Sequence, residues 1–77
     1  MIHVTVSFHG DLKKYNDGGE IIELSVPNGA TIDDVIRNCG IPLNEIAFAA
    51  LNGSKQPLST PVKEEDEIRV LQLVAGG

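Results

Sequence analysis

Apolar and polar residues alternate from the second position of the chain. Ile2, Val4, Val6 and Phe8 fall on one parity and His3, Thr5, Ser7 and His9 on the other, which predicts a half-buried strand. A polar stretch, Asp11 to Asn16, leads to the turn signal Asp17-Gly18-Gly19. Alternation then resumes over residues 20–26, with Ile22, Leu24 and Val26 on one face and Glu23 and Ser25 on the other, until Pro27-Asn28-Gly29 stops it. These two strands read as an antiparallel hairpin with a long loop. The period then changes. Thr31 is a helix N-cap with Asp34 placed for a capping box, and Asp33 and Asp34 suit the positive end of the helix dipole. Ile32, Val35, Ile36 and Cys39 share one helical face, Gly40 suits the position after the last turn, and Pro42 prevents continuation. A second apolar run covers Ile46 to Leu51, and Asn52-Gly53 is a tight-turn pair leading to a short strand near 54–57. Pro57, Pro61 and the run Lys63-Glu64-Glu65-Asp66 make a solvated connection to a last strand over residues 67–74.

The element order is strand, strand, helix, strand, short strand, strand. Right-handed crossover places the helix over one sheet face and the first and last strands side by side and parallel at the centre. That arrangement is an α+β, β-grasp (ubiquitin-like) fold: a mixed sheet of four to five strands with one main helix packed on one face. With 77 residues, the expectation is a single domain over 1–77, near the lower size limit for a core that folds unaided.

Composition narrows the function classes. The 42% hydrophobic content argues against disorder. The net charge of -5 opposes nucleic-acid binding and suits a partner with a basic docking face. The opening MIHVTVSFHG alternates and so does not resemble a signal peptide, and no stretch has the length of a membrane span. The expected location is cytoplasmic, without a membrane partner. One cysteine allows no internal disulfide, and its place on the apolar helix stripe assigns Cys39 to core packing. His3 and His9 share a parity but stand roughly 20 Å apart along a strand, too far for one metal. The acidic run reads as a turn; no metal site is expected. No nucleophile–base pair, convergent carboxylate pair or phosphate loop is visible, so the chain is not expected to be an enzyme.

The stretch LQLVAGG remains: an apolar strand running into two glycines. Glycine carries the largest ordering entropy of any residue and sits poorly in a strand. A chain without Cβ atoms, however, passes through a narrow channel that other residues would block. The parity of this strand adds a second clue. Ile68 and Val70 fall on the core face, whereas Leu71 and Leu73 fall with Glu67 and Arg69, where polar residues belong. Two leucines beside a threading tail predict a docking patch, contributing roughly 3 to 6 kcal/mol before association costs.

The segments VTVSFHGDLKKY, VPNGATIDDVIRNCGIP, LNG and EEDEIRVLQLVAGG together span nearly the whole chain and resemble the sulfur-carrier branch of the β-grasp proteins. That family includes the small subunit of molybdopterin synthase and the thiazole-synthesis sulfur carrier. The resemblance implies that an E1-like adenylating enzyme uses ATP to activate the carboxylate of Gly77. A sulfur donor then converts it to a thiocarboxylate, which delivers sulfur to an acceptor synthase subunit. Gly76 and Ala75 would form the threading tail, expected to be flexible over 75–77, and Leu71, Leu73 and Arg69 the docking surface. No cofactor is expected on the chain itself. The Phe-x-Gly-x-Leu-x-x-Tyr opening favours the molybdopterin pathway slightly. Leu71-Gln72-Leu73, standing where the molybdopterin subunit typically has a Pro-Pro pair, is closer to the thiazole carrier. Two alternatives use the same sequence: a ubiquitin-like modifier forming isopeptides through Gly77, and a β-grasp interaction module whose tail is inert.

Overall fold

The computed structural model describes residues 1–72. Its elements are β1 (Ile2–Phe8), β2 (Ile21–Val26), α1 (Ile32–Asn38), β3 (Ile46–Leu51), β4 (Ser54–Gln56) and β5 (Asp66–Gln72). The strands form one sheet in the order β2-β1-β5-β3-β4. β1 pairs antiparallel with β2 and parallel with β5, so the first and last strands lie side by side at the centre. This is the β-grasp arrangement that the element order predicts, with five strands.

Alternation sorts the two sheet faces. Val4, Val6, Phe8, Ala49, Ile68 and Val70 are buried and join Ile32, Val35 and Ile36 of α1 in one apolar cluster. The helix is short, and its ends are well satisfied. Thr31 and Asp34 form the reciprocal capping box, and the N–H groups of Ile32 and Asp33 donate to the carbonyls of Thr60 and Leu58. At the other end Gly40 adopts φ 78°, Gly40 N–H donates to Arg37 O and Ile41 N–H to Ile36 O, which closes the helix in a Schellman motif. Cys39 caps this end and packs against the core.

Two segments depart from the sequence reading. The polar stretch after β1 is a 3-10 helix, Gly10–Asn16, that buries Leu12 completely. A second 3-10 turn, Leu43–Glu45, precedes β3. The two are tied together: the Tyr15 hydroxyl donates to the Glu45 carboxylate, which also lies 3.7 Å from Lys14 Nζ. The last strand begins one residue earlier than expected, at Asp66. Its expected continuation over 73–74, and the tail expected to be flexible over 75–77, lie outside the described residues.

Burial raises the Cys39 thiol from its ordinary 9.0 to about 11. The folded state therefore keeps a proton that the unfolded state loses above about pH 9. Stability is fully present below that value and falls as pH rises toward 11. Iodoacetamide labelling of the native protein at pH 8 is expected to be at least about tenfold slower than labelling in denaturant. Equal rates would place Cys39 in solvent.

Candidate functional site

The sheet face away from α1 is built by the residues that alternation leaves outside the core. Strand register lines them up in rows. One row crosses all five strands: Ile21, Ser7, Arg69, Ala50 and Lys55. The row toward the start of β5 holds Glu23, Thr5 and Glu67. The row toward its end pairs Leu71 with Phe48.

Leu71 thus stands on the open face with Glu67 and Arg69. A bulge that returned Leu71 to the core would have to lie in β5, yet β5 pairs with β1 in unbroken register from Asp66 to Val70. The irregularity is in β3 instead, between Ile46 and Phe48. Ala47 takes up the extra residue, so that Ile46 pairs with Gln72, while Phe48 keeps the register of Ala49 to Leu51 and stands opposite Leu71 on the same face. Both are half-buried. Phe48 is the member of this surface that the sequence reading missed, because a continuous apolar run such as IAFAAL hides which residues face outward. Lys55, across from Ala50, holds its ammonium 4.9 Å from the centre of the Phe48 ring. Ile21, at the far end of the row, is 61% exposed.

The remaining site residues divide sharply. Arg69 is exposed and makes no salt bridge with any described carboxylate. Leu73, Ala75, Gly76 and Gly77 lie outside the described residues. His3 donates its backbone N–H to Glu64 at 3.0 Å and brings its ring within 3.3 Å of that carboxylate, so it belongs to the start of β5 and not to the patch. His9 is exposed beyond the end of β1. Among the described residues no three potential metal ligands converge, and no helix is long and apolar enough to cross a membrane.

The end of β5 is held by a side chain. Gln72 Oε1 accepts the backbone N–H of Asp11 at 2.9 Å, and Nε2 donates to Asp11 Oδ2 at 3.4 Å. Gly10 makes this approach possible. It sits at φ 60°, and a Cβ there would lie 2.5 Å from Gln72 Oε1. Gly10→Ala is expected to destabilise the protein by about 1–2 kcal/mol, and Gln72→Ala by about 0.5–1.5 kcal/mol. In the double variant the two losses should sum to less than their separate values, because the collision disappears with the glutamine. Strict additivity in denaturant titrations would mean that Gly10 and Gln72 do not meet.

A family model described as the ThiS family matches residues 6–77. No curated protein matches significantly. Solved structures share the fold at low identity. Small archaeal modifier protein 1 (SAMP1) from Methanosarcina acetivorans is 22% identical, with 100% of this chain and 98% of that one covered at a TM-score of 0.75. A ubiquitin from Caldiarchaeum subterraneum is 16% identical, covering 99% and 98% at 0.65. The complex of subunits 1 and 2 of the molybdopterin-converting factor from Helicobacter pylori contains a chain 24% identical to this one, covering 99% and 100% at 0.63. The match to the family model spans all but the first five residues, so the chain belongs to the ThiS family of ubiquitin-like sulfur carriers.

Proposed function

We propose that the protein carries sulfur as a thiocarboxylate on Gly77. The observation that carries this reading is the family match, which continues through the two terminal glycines. The carboxylate oxygen of Gly77 attacks the α-phosphorus of ATP on an E1-like activating enzyme, and pyrophosphate leaves. A sulfide-level nucleophile (HS⁻) then attacks the carbonyl carbon, the C–O bond to AMP breaks as the C–S bond forms, and loss of the sulfur-bound proton leaves the thiocarboxylate. The mixed anhydride supplies the leaving group that a free carboxylate lacks. The product sulfur is a soft, largely ionised nucleophile, by the logic that makes the thiolate the reactive form of cysteine.

Nothing in this cycle asks for a catalytic side chain from this protein. Its contributions are a narrow tail (Ala75, Gly76 and Gly77) and a body that docks beside the entrance through Leu71, Leu73, Phe48 and Arg69. Gln72, the last described residue of β5, is tied to Asp11 ahead of the tail. The H. pylori likeness, a subunit seen with its partner subunit, supports an acceptor synthase as the second partner. The favoured acceptor pathway is molybdopterin over thiazole, on the opening Phe8, Gly10, Leu12 and Tyr15.

The test is the intact mass of the protein isolated from its own cells. Exchange of one oxygen for sulfur at the C-terminus is the expected result. The likeness to SAMP1 favours one second reading, isopeptide bonds from Gly77 to lysines of other proteins. Conjugates of higher mass, with no thiocarboxylate, would replace the carrier reading by that one.

A further inference from the structure

The chain is acidic overall, and that charge alone calls for a basic partner face. The open sheet face is polarised instead. Toward the start of β5 it carries Glu23 and Glu67, with the exposed Glu64 and Glu65 just before. Toward the end of β5 the charges are of the other sign. Arg69 and Lys55 flank Ala50 in one row, so their backbones stand roughly 10 Å apart across two strand spacings. Phe48 and Leu71 form the apolar floor beside them. Three of the protein's other cations are neutralised locally, Lys13 by Glu20, Lys14 by Glu45 and Arg37 by Asp33. Neither Arg69 nor Lys55 has a carboxylate in salt-bridge reach among the described residues.

The patch also has depth. β4 pairs with β3 only from Ala49 to Leu51, which leaves the stretch from Ile46 to Phe48 uncovered along that edge. There Phe48 and Lys55 line a groove with Pro57 and Leu58. An apolar side chain entering this groove would bring its neighbours against the two cations.

We propose that this surface receives a partner segment in which an aromatic or aliphatic side chain is flanked by carboxylates. The apolar side chain fills the groove beside Phe48, and the carboxylates meet Arg69 and Lys55. The acidic rows at the other end of the face repel the same segment, so a partner binds in one orientation, with its acidic rim at the end of β5. This deepens the carrier reading and rests on it for the partner's role, not for the surface itself.

The test therefore uses peptides and not the activating enzyme. The full-length, 15N-labelled protein is titrated with a short synthetic peptide carrying phenylalanine between glutamates, and with its counterpart carrying glutamines. The glutamate peptide is expected to shift the amides of Phe48, Ala50, Lys55, Arg69 and Leu71. The glutamine peptide, and the glutamate peptide on the Arg69→Gln/Lys55→Gln variant, should each bind about tenfold more weakly. The glutamate affinity should also fall as salt rises toward 1 M, where screening reaches about 3 Å. Equal binding of the two peptides would overturn the proposal, as would unmoved patch amides. Shifts of the same amides on concentrating the protein alone would assign the face to a second copy of this chain and overturn it too. An unchanged intact mass from native cells would remove the carrier reading and leave these peptide results standing.

Discussion

Adding one residue after Gly77, or deleting Gly77, is expected to abolish ATP–pyrophosphate exchange by the activating enzyme. The reacting carbonyl must sit in line with the α-phosphorus of ATP, and displacement by one residue moves it by several times the distance that already costs about a hundredfold. The fold should not notice. Among the described residues every buried core residue lies between Val4 and Val70, so neither change alters a residue of the cluster that holds the sheet to α1. The melting temperature should stay within about 2 °C of the parent. Exchange activity in the extended protein would end the reactive-terminus proposal. Loss of activity together with a large fall in melting temperature would move the tail's role from chemistry to folding.

The largest stability effect is expected at Leu12, in a stretch that reads as a polar loop. Leu12→Ala should cost about 2–5 kcal/mol, with the melting temperature falling by on the order of 10–30 °C. The side chain is 0% exposed and joins the core cluster from the 3-10 helix that follows β1. A 77-residue chain buries too little apolar surface to tolerate such a cavity easily. Lys14→Ala, two residues on and exposed, should change stability by less than about 0.5 kcal/mol. Denaturant titrations that give the two variants equal stability would place Leu12 at the surface.

The consequences of Leu12 reach the site. The 3-10 helix that it anchors supplies the Asp11 N–H that holds Gln72. A variant that loosens this helix should therefore also free the end of β5. Hydrogen exchange at Asp11 and Gln72 in Leu12→Ala, measured below the unfolding midpoint, should rise together.

The elements were legible in the sequence wherever one periodicity ran long enough to be distinguished. Alternation in IHVTVSF and IIELSV identified which residues face the core, because a half-buried strand has only two faces and a period of two. Thr31, Asp34 and Gly40 marked the helix ends through backbone requirements that few other residues meet. Asn52-Gly53 marked the hairpin for the same reason: both adopt positive φ, 52° and 88°. The two terminal glycines and the family resemblance also came from sequence alone, since the proposed chemistry uses main-chain atoms.

Tertiary structure decided what depends on groups distant in sequence. Leu12 is a single apolar residue among charges, and one residue has no periodicity; only the packing of its 3-10 helix on the core cluster makes it buried. IAFAAL is apolar throughout, so its outward residues were decided by the register in which β3 meets β5, with Phe48 opposite Leu71 and the buried Ala49 opposite the buried Val70. Gln72 became a clasp because the chain returns 61 residues later to Asp11. The reversal of charge on the open face follows the same rule. Net charge is a sum over the whole chain, whereas a partner meets only what strand register brings together, and register brought Arg69 and Lys55 to either side of Ala50 and left the glutamates at the other end.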